Sequence, residues 1–230
     1  MRLIALLFTF IAISLPAQYL AQNGQKIIGG FEQESIGLSV QTNYDGSIMA
    51  VGSTLANGRG KVQVFTKEGN IWVQLGEDIE NEHPDVEFGS SIALSADGLT
   101  LAIGAQGDYE NYVYDRGSVE VYEYADSQWS KLGSRLLGDL SDEAFGTSVS
   151  LDSSGTVLAV SSKDSRINGA GSGEVNVYHL KNENWELLGQ TLEGESRSNS
   201  FGFSLSLSAN GERLLVGVAR HSNDNGQFAG

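Results

Sequence analysis

The chain repeats itself, and that constrains its fold more than anything else in it. Four segments open on Ile36-Gly37, Phe88-Gly89, Phe145-Gly146 and Phe201-Gly202, at steps of 52, 57 and 56 residues. A turn glycine stands ten residues after each opening residue: Gly46, Gly98, Gly155 and Gly211. Trp72, Trp129 and Trp185 are each followed by Leu-Gly, at 75–76, 132–133 and 188–189. Eleven residues then separate that glycine from the next phenylalanine, in all three copies. A fixed period of this length marks stacked supersecondary units, none of which buries its apolar surface alone.

Each unit reads as four short strands. The first alternates, as in Ile92 and Leu94 against Ser91, Ala93 and Ser95, and a hairpin turn follows at Ala96-Asp97-Gly98, Ser153-Ser154-Gly155 and Ala209-Asn210-Gly211. Glycine supplies the positive φ such turns demand. The second strand is Leu101-Ala102-Ile103-Gly104 and its copies at 49–52, 158–161 and 214–217. The third carries Val62/Val64, Val119/Val121 and Val175/Val177 on one face and Gln63, Glu120 and Asn176 on the other. The fourth carries the tryptophan. The first two strands set bulky residues against Ser, Ala or Gly with hardly any charge, so both faces must be covered, one at close range. The third, polar on one face, reads as an outer, half-wet strand. Sheets of this kind must stack on one another, which predicts an all-β protein, a β-propeller of four-stranded antiparallel blades. The period-2 pattern excludes a helical solenoid, and a β-sandwich does not repeat its sequence at this period.

Composition narrows the function classes. Of 230 residues, 29 are Gly and only two are Pro, which fits many tight turns. With no cysteine, disulfides, thiol catalysis and Cys-ligated metals are excluded. A net charge of −15 lacks the cationic footprint that nucleic-acid binding needs. The amino terminus reads as a secretory signal over residues 1–21. Arg2 leads an uncharged apolar stretch, Leu3 to Leu15, with small residues at Ala17 and Ala21. That stretch is too short to span a bilayer comfortably, which takes about 20 residues. The mature chain, 22–230, is then expected to be exported, secreted or at the cell surface, with no stable membrane span.

The order Phe88-Gly89-Ser90-Ser91-Ile92, Leu101-Ala102-Ile103-Gly104-Ala105, Gly117-Ser118-Val119-Glu120-Val121-Tyr122 resembles the FG-GAP repeat of integrin α-chain propellers. The resemblance covers residues 36–230, with repeats near 36–87, 88–144, 145–200 and 201–230. It implies a propeller, typically of seven blades, in extracellular adhesion or ligand-binding proteins. The calcium loop of many FG-GAP members, Asp-x-Asp/Asn-x-Asp-Gly, is not matched. The turns here offer at most one carboxylate each, against the six to eight oxygens calcium takes. The third and fourth strands also resemble kelch repeats, in which a Tyr precedes a Trp by seven residues. Phe65/Trp72, Tyr122/Trp129 and Tyr178/Trp185 keep that spacing, but the Gly-Gly pair of kelch units is replaced by Gly104-Ala105, Ser161-Ser162 and Gly217-Val218.

Phe201 to Gly230 matches Phe88 to Gly117, so about three and a half blades are expected, as a fragment of a larger propeller. Gly24 to Ile36 copies the connector that follows each Leu-Gly, with Gly24, Ile27 and Gly29 matching Gly189, Leu192 and Gly194.

Catalytic chemistry is hard to find. His83, His179 and His221 fall at unrelated repeat positions, and no metal or cofactor site is expected. The connectors are acidic, with Glu77, Asp78, Glu80, Glu82, Asp85 and Glu87 in the first, Asp139, Asp142 and Glu143 in the second, and Glu193 and Glu195 in the third. Such charge reads first as solvated loop. The better binding candidate is the loop 106–116, with Tyr109, Tyr112, Tyr114 and Asp115, because amphipathic tyrosines suit protein or glycan contact. The loops 163–171 and 221–227 read as plain turns. The expected function is thus a non-catalytic adhesion or ligand-binding module for an extracellular protein or glycan. The alternatives are a propeller enzyme on polysaccharide, whose carboxylate pair could form across blades, and a structural spacer within a large surface protein.

Overall fold

The computed structural model describes residues 24–29, 35–82, 87–107, 116–141 and 143–220. The first sheet holds β1 (Ile36–Thr42), β2 (Ile48–Ser53), β3 (Lys61–Glu68), β4 (Ile71–Gln74) and β5 (Ile79–Glu80). The second holds β6 (Phe88–Leu94), β7 (Thr100–Ala105), β8 (Ser118–Ala125), β9 (Gln128–Lys131) and β10 (Leu136–Leu137). The third holds β11 (Phe145–Leu151), β12 (Val157–Ser162), β13 (Glu174–Lys181), β14 (Asn184–Leu187) and β15 (Leu192–Glu193). Two strands follow, β16 (Phe201–Leu207) and β17 (Leu214–Val218). Every ladder within the sheets is antiparallel, and the first four strands of each full sheet pair in sequence order. The protein is all-β, built of propeller-type blades in step with the repeat.

The sheets stack through their first strands, β1 against β6, β6 against β11 and β11 against β16. One core lies between the first and second sheets, where Ala50, Val62 and Val64 meet Ile92, Leu101 and Ile103. A second lies between the second and third, where Ala102, Val119 and Val121 meet Phe145, Val149, Leu158 and Val160. Each large side chain buried there contributes about 1.5–3 kcal/mol. The repeat markers are the joints between sheets. Gly60, Gly117 and Gly173 form parallel bridges to Phe88, Phe145 and Phe201 of the following sheet. A Cβ on Gly117 would lie 2.1 Å from the carbonyl oxygen of Phe145, at a φ of +75°, so only glycine lets the two backbones meet there. On the rim, the indole N–H of Trp129 donates to the Leu75 carbonyl at 2.9 Å, and that of Trp185 to Leu132 at 3.0 Å. The ring edge of each would lie only 2.8 and 2.9 Å from a Cβ on Gly76 and Gly133. Leu-Gly and Trp are therefore two halves of one contact. Gly24 meets Trp72 in the same way, as the matching of Gly24 with the connector glycines requires.

Two details differ from the four-strand expectation. The connector after each Leu-Gly returns to the third strand, so β5, β10 and β15 pair with the starts of β3, β8 and β13. The outermost strand is thus one strand broken at Leu-Gly. The third strand of the second sheet is also not half-wet. Glu120 is buried, accepting from Tyr122 Oη at 2.5 Å and Lys131 Nζ at 2.9 Å.

Candidate functional site

Alternating strand direction puts the second-to-third loops and the connectors together at one end of the sheets, here termed the connector face. The residue before each opening Phe (or Ile36) shapes that face. Ser35, Glu87, Ala144 and Ser200 all adopt left-handed backbone, with φ between 49 and 54°. Each offers its carbonyl to the amide three residues on, which kinks the chain into its first strand and displays the residue at the strand's mouth. Non-glycine residues in this region carry a strain cost of about 1 kcal/mol or more.

Between the mouths of the second and third sheets lies a groove of about 240 Å³, lined by Glu87, Gln106, Gly107, Ala144, Lys163 and Asp164. Gln106 Nε2 donates to Glu87 Oε2 at 2.7 Å, and Lys163 is paired with Asp164. The Asp164 amide donates to the Glu143 carbonyl at 3.3 Å. Two carboxylates near this wall, Glu143 and Glu174, are buried. Glu143 Oε2 accepts the amides of Asp139 and Leu140 at 2.9 and 3.0 Å, which folds the second connector over itself. Glu174, the first residue of β13, accepts from Ser165 Oγ at 3.0 Å. Burial pushes the Glu174 carboxyl above the ordinary glutamate range; the charges of Glu143 and Asp139 add to this, and the Ser165 hydrogen bond only partly offsets it. Tyr178, farther along β13, is pushed up to about 12, first by burial and then by Asp139 and Glu174. Glu174 does not itself line the groove but meets its wall through Ser165, the neighbour of Asp164, and a buried carboxyl that tends to hold its proton is a candidate proton donor.

Tyr109, Tyr112, Tyr114 and Asp115 lie outside the described residues, as do His83 and His221. The stem of their loop is described. It leaves β7 through Gln106 and Gly107 and returns at Arg116, whose Nε donates to the Gly138 carbonyl at 2.7 Å. The predicted tyrosine loop thus springs from the groove's own wall. His179 is exposed on β13. Among the described residues no three His, Asp or Glu side chains converge as metal ligands. The hairpin carboxylates hold their own turns: Asp97 Oδ1 accepts from Leu99 N and Ser95 Oγ, and Asp152 Oδ1 from Thr156 N and Val157 N.

The sequence did not single out Glu174, and it placed Lys163 and Asp164 in a plain turn, whereas Gln106 opens the loop named as the binding candidate. The one visible signal for Glu174 is a break in the repeat, since Lys61 and Ser118 stand where it does. A larger cleft of about 500 Å³ lies on the rim, lined by Glu77, Asp78, Glu80, Tyr122, Trp129 and Lys131 among others. Several of its charges are held by neighbours, Glu80 by Asn57 and Lys131 by Glu120. Asp78 accepts from Gln63 and Gln74 and pairs with Lys61, which together outweigh burial and hold its carboxyl below the usual range. Burial and the Glu120 carboxylate drive the Tyr122 phenol far up.

No protein-family model and no curated protein matches the chain. Among solved structures it is similar in fold to a "putative 6-phosphogluconolactonase" from Bacteroides uniformis, at 13% identity and a TM-score of 0.55, over 83% of this chain and 51% of that one. A Bacteroides fragilis protein of the same description aligns at 13% identity and a TM-score of 0.49, over 69% and 39%. The chain spans about half the length of the first of these. The expectation of a non-catalytic adhesion or ligand-binding module is corrected on this finding. It rested on the lack of a catalytic constellation in the sequence, whereas the fold is shared with a protein bearing an enzyme's name. The reading "not an enzyme" is withdrawn with it. Among the described residues no helix is long and apolar enough to cross a membrane.

Proposed function

We propose that this chain forms blades of an exported β-propeller enzyme that hydrolyses a neutral, sugar-derived substrate at the connector face. Glu174 serves there as the acid/base group, and Lys163, Asp164, Glu87 and Gln106 hold substrate hydroxyls. The observation that carries the reading is Glu174 itself. It is a buried carboxyl displaced toward its neutral form and hydrogen-bonded to Ser165, the residue after the groove-lining Asp164, and proton-transfer groups are tuned in this way. The similar structure's name adds an enzyme acting on a sugar-acid lactone. Charge argues against a phosphorylated substrate here, since the groove sets Glu87 and Asp164 against one lysine on a chain of net −15. Export through residues 1–21 and kinship with FG-GAP propellers belong to the same proposal, and a secreted chain lacking the signal residues in its measured mass is the check on export.

The test is turnover of neutral aldonolactones and of glycosides by the full chain and by Glu174→Gln. The reading expects hydrolysis of one class and a fall of about 10²-fold or more in kcat for the variant. No turnover of either class, or an unchanged kcat in Glu174→Gln, overturns it.

A further inference from the structure

The rim cleft between the first and second sheets lies at a joint inside the described stack, and its lining is chemically unlike that of the next joint. One wall is the connector at 77–80, the other the β8–β9 hairpin at 126–131. Its volume of about 500 Å³ is that of a small-molecule site. The Trp129 ring in its wall is already fixed, with its N–H on the Leu75 carbonyl at 2.9 Å and its centroid 5.1 Å from that of Tyr124. Around the ring, hydrogen-bond acceptors and donors are mixed. Glu77 and Asp126 are exposed carboxylates without a hydrogen bond or ion pair among the described residues. Lys131 Nζ gives one N–H to Glu120 at 2.9 Å and carries two more, while Ser127 and Gln128 both donate and accept. At the next joint Ser134, Arg135 and Leu137 stand where Glu77, Asp78 and Glu80 do, and Asn182 and Leu187 replace Asp126 and Lys131. There Ser134 Oγ reaches Asn184 Oδ1 at 3.5 Å, which bridges connector and hairpin. The polar lining around Trp129 therefore belongs to one joint and is not a by-product of the repeat.

We propose that this cleft binds a neutral glycan. A sugar ring has an apolar face to lay on an aromatic side chain, and hydroxyls that each donate and accept. Its hydroxyls donate to Glu77 and Asp126 and accept from Lys131, and hydrogen bonds to charged groups are the stronger kind. Charge selects against the other small polar ligands. A phosphorylated or uronic sugar meets carboxylates on both walls, against a single ammonium already paired with Glu120. A polyamine satisfies the carboxylates but brings no acceptor for Lys131 and sets a like charge beside it. The cleft is distinct from the groove near Glu174, which lies on the connector face between the second and third sheets, so the inference does not depend on the catalytic reading.

Isothermal titration of the full chain tests it, with cello-, xylo-, malto- and laminarihexaose as neutral probes and spermine and hexagalacturonate as charged ones. The proteins are wild type, Glu174→Gln, and a double variant carrying Glu77→Ala and Asp126→Ala, both exposed positions whose loss leaves the joint intact. At least one neutral hexaose should bind wild type and Glu174→Gln alike, and shift the Trp129 indole resonance in NMR spectra. The double variant should bind it about tenfold more weakly or worse, since two hydrogen bonds to charged acceptors are lost. Silence from all four neutral probes overturns the proposal, as does undiminished binding by the double variant. Binding of spermine without any neutral hexaose also overturns it and makes the cleft a cation site. Binding of hexagalacturonate as tight as that of the neutral probes removes the charge argument and the proposal with it.

Discussion

Glycine marks the positions where this chain does what no other residue permits, and its substitutions separate strain from collision. Gly46 and Gly117 both have positive φ, +72° and +75°, but a Cβ on Gly46 meets nothing within 4 Å and one on Gly117 meets the Phe145 backbone at 2.1 Å. Gly46→Ala should cost about 1 kcal/mol, the left-handed penalty alone. Gly117→Ala should cost roughly 3 kcal/mol or more, because a backbone on another sheet has to move. Chemical denaturation of the two variants measures both values; equal losses would remove the joint role given to Gly117. Tyr178 makes a pH prediction. Its folded pKa of about 12 lies above the ordinary phenol value of about 10. The folded state therefore binds that proton more tightly, and the associated stability is present below pH 10 and lost as pH rises toward 12. Between those values the melting temperature of wild type should fall more steeply than that of Tyr178→Phe.

Strands and their connectors explain which features could be read in advance. Phe, Trp and Gly are demanded by contacts that recur in every joint, so their spacing exposed the blades, the hairpin turns and the second-strand alanines. β5, β10 and β15 escaped because two residues carry no alternation. Glu120 was assigned to a wet face because nothing local shows that Tyr122 and Lys131 enclose it. The candidate site was illegible for a related reason. Its members come from four loops and one strand end, where the joints impose no residue type, and Glu174 replaces Lys61 and Ser118 without disturbing the ladder. This position also yields a test on stability. A folded carboxyl pKa above the unfolded one contributes stability below about pH 4.3, lost as pH rises. Glu174→Gln should therefore melt higher than wild type at pH 7 and lose that advantage near pH 4. Increased stability with decreased turnover in one variant is the trade-off expected of a functional carboxyl. A variant less stable than wild type at pH 7 would mean that the serine hydrogen bonds, rather than desolvation, dominate.

Taken as one body, the protein is a run of sheets too thin to persist singly, each relying on the sheet ahead for its forward face and the sheet behind for its rearward one. Stability should therefore be shared among neighbouring sheets, with the joints as protected as the ladders within them. The indole protons of Trp129 and Trp185 report the rim joint, through Leu75 and Leu132. The amides of Phe145 and Phe201 report the inner joint, donating to Arg116 and Ser172 at 3.0 Å. Native-state hydrogen exchange followed by NMR reads all four in one experiment. Stacked blades predict that these protons exchange as slowly as the β7 and β12 ladder amides and open together with them. Joint protons that exchange at the rate of the exposed hairpin tips, while the ladders stay protected, would contradict the stacking on which the fold and the site are built.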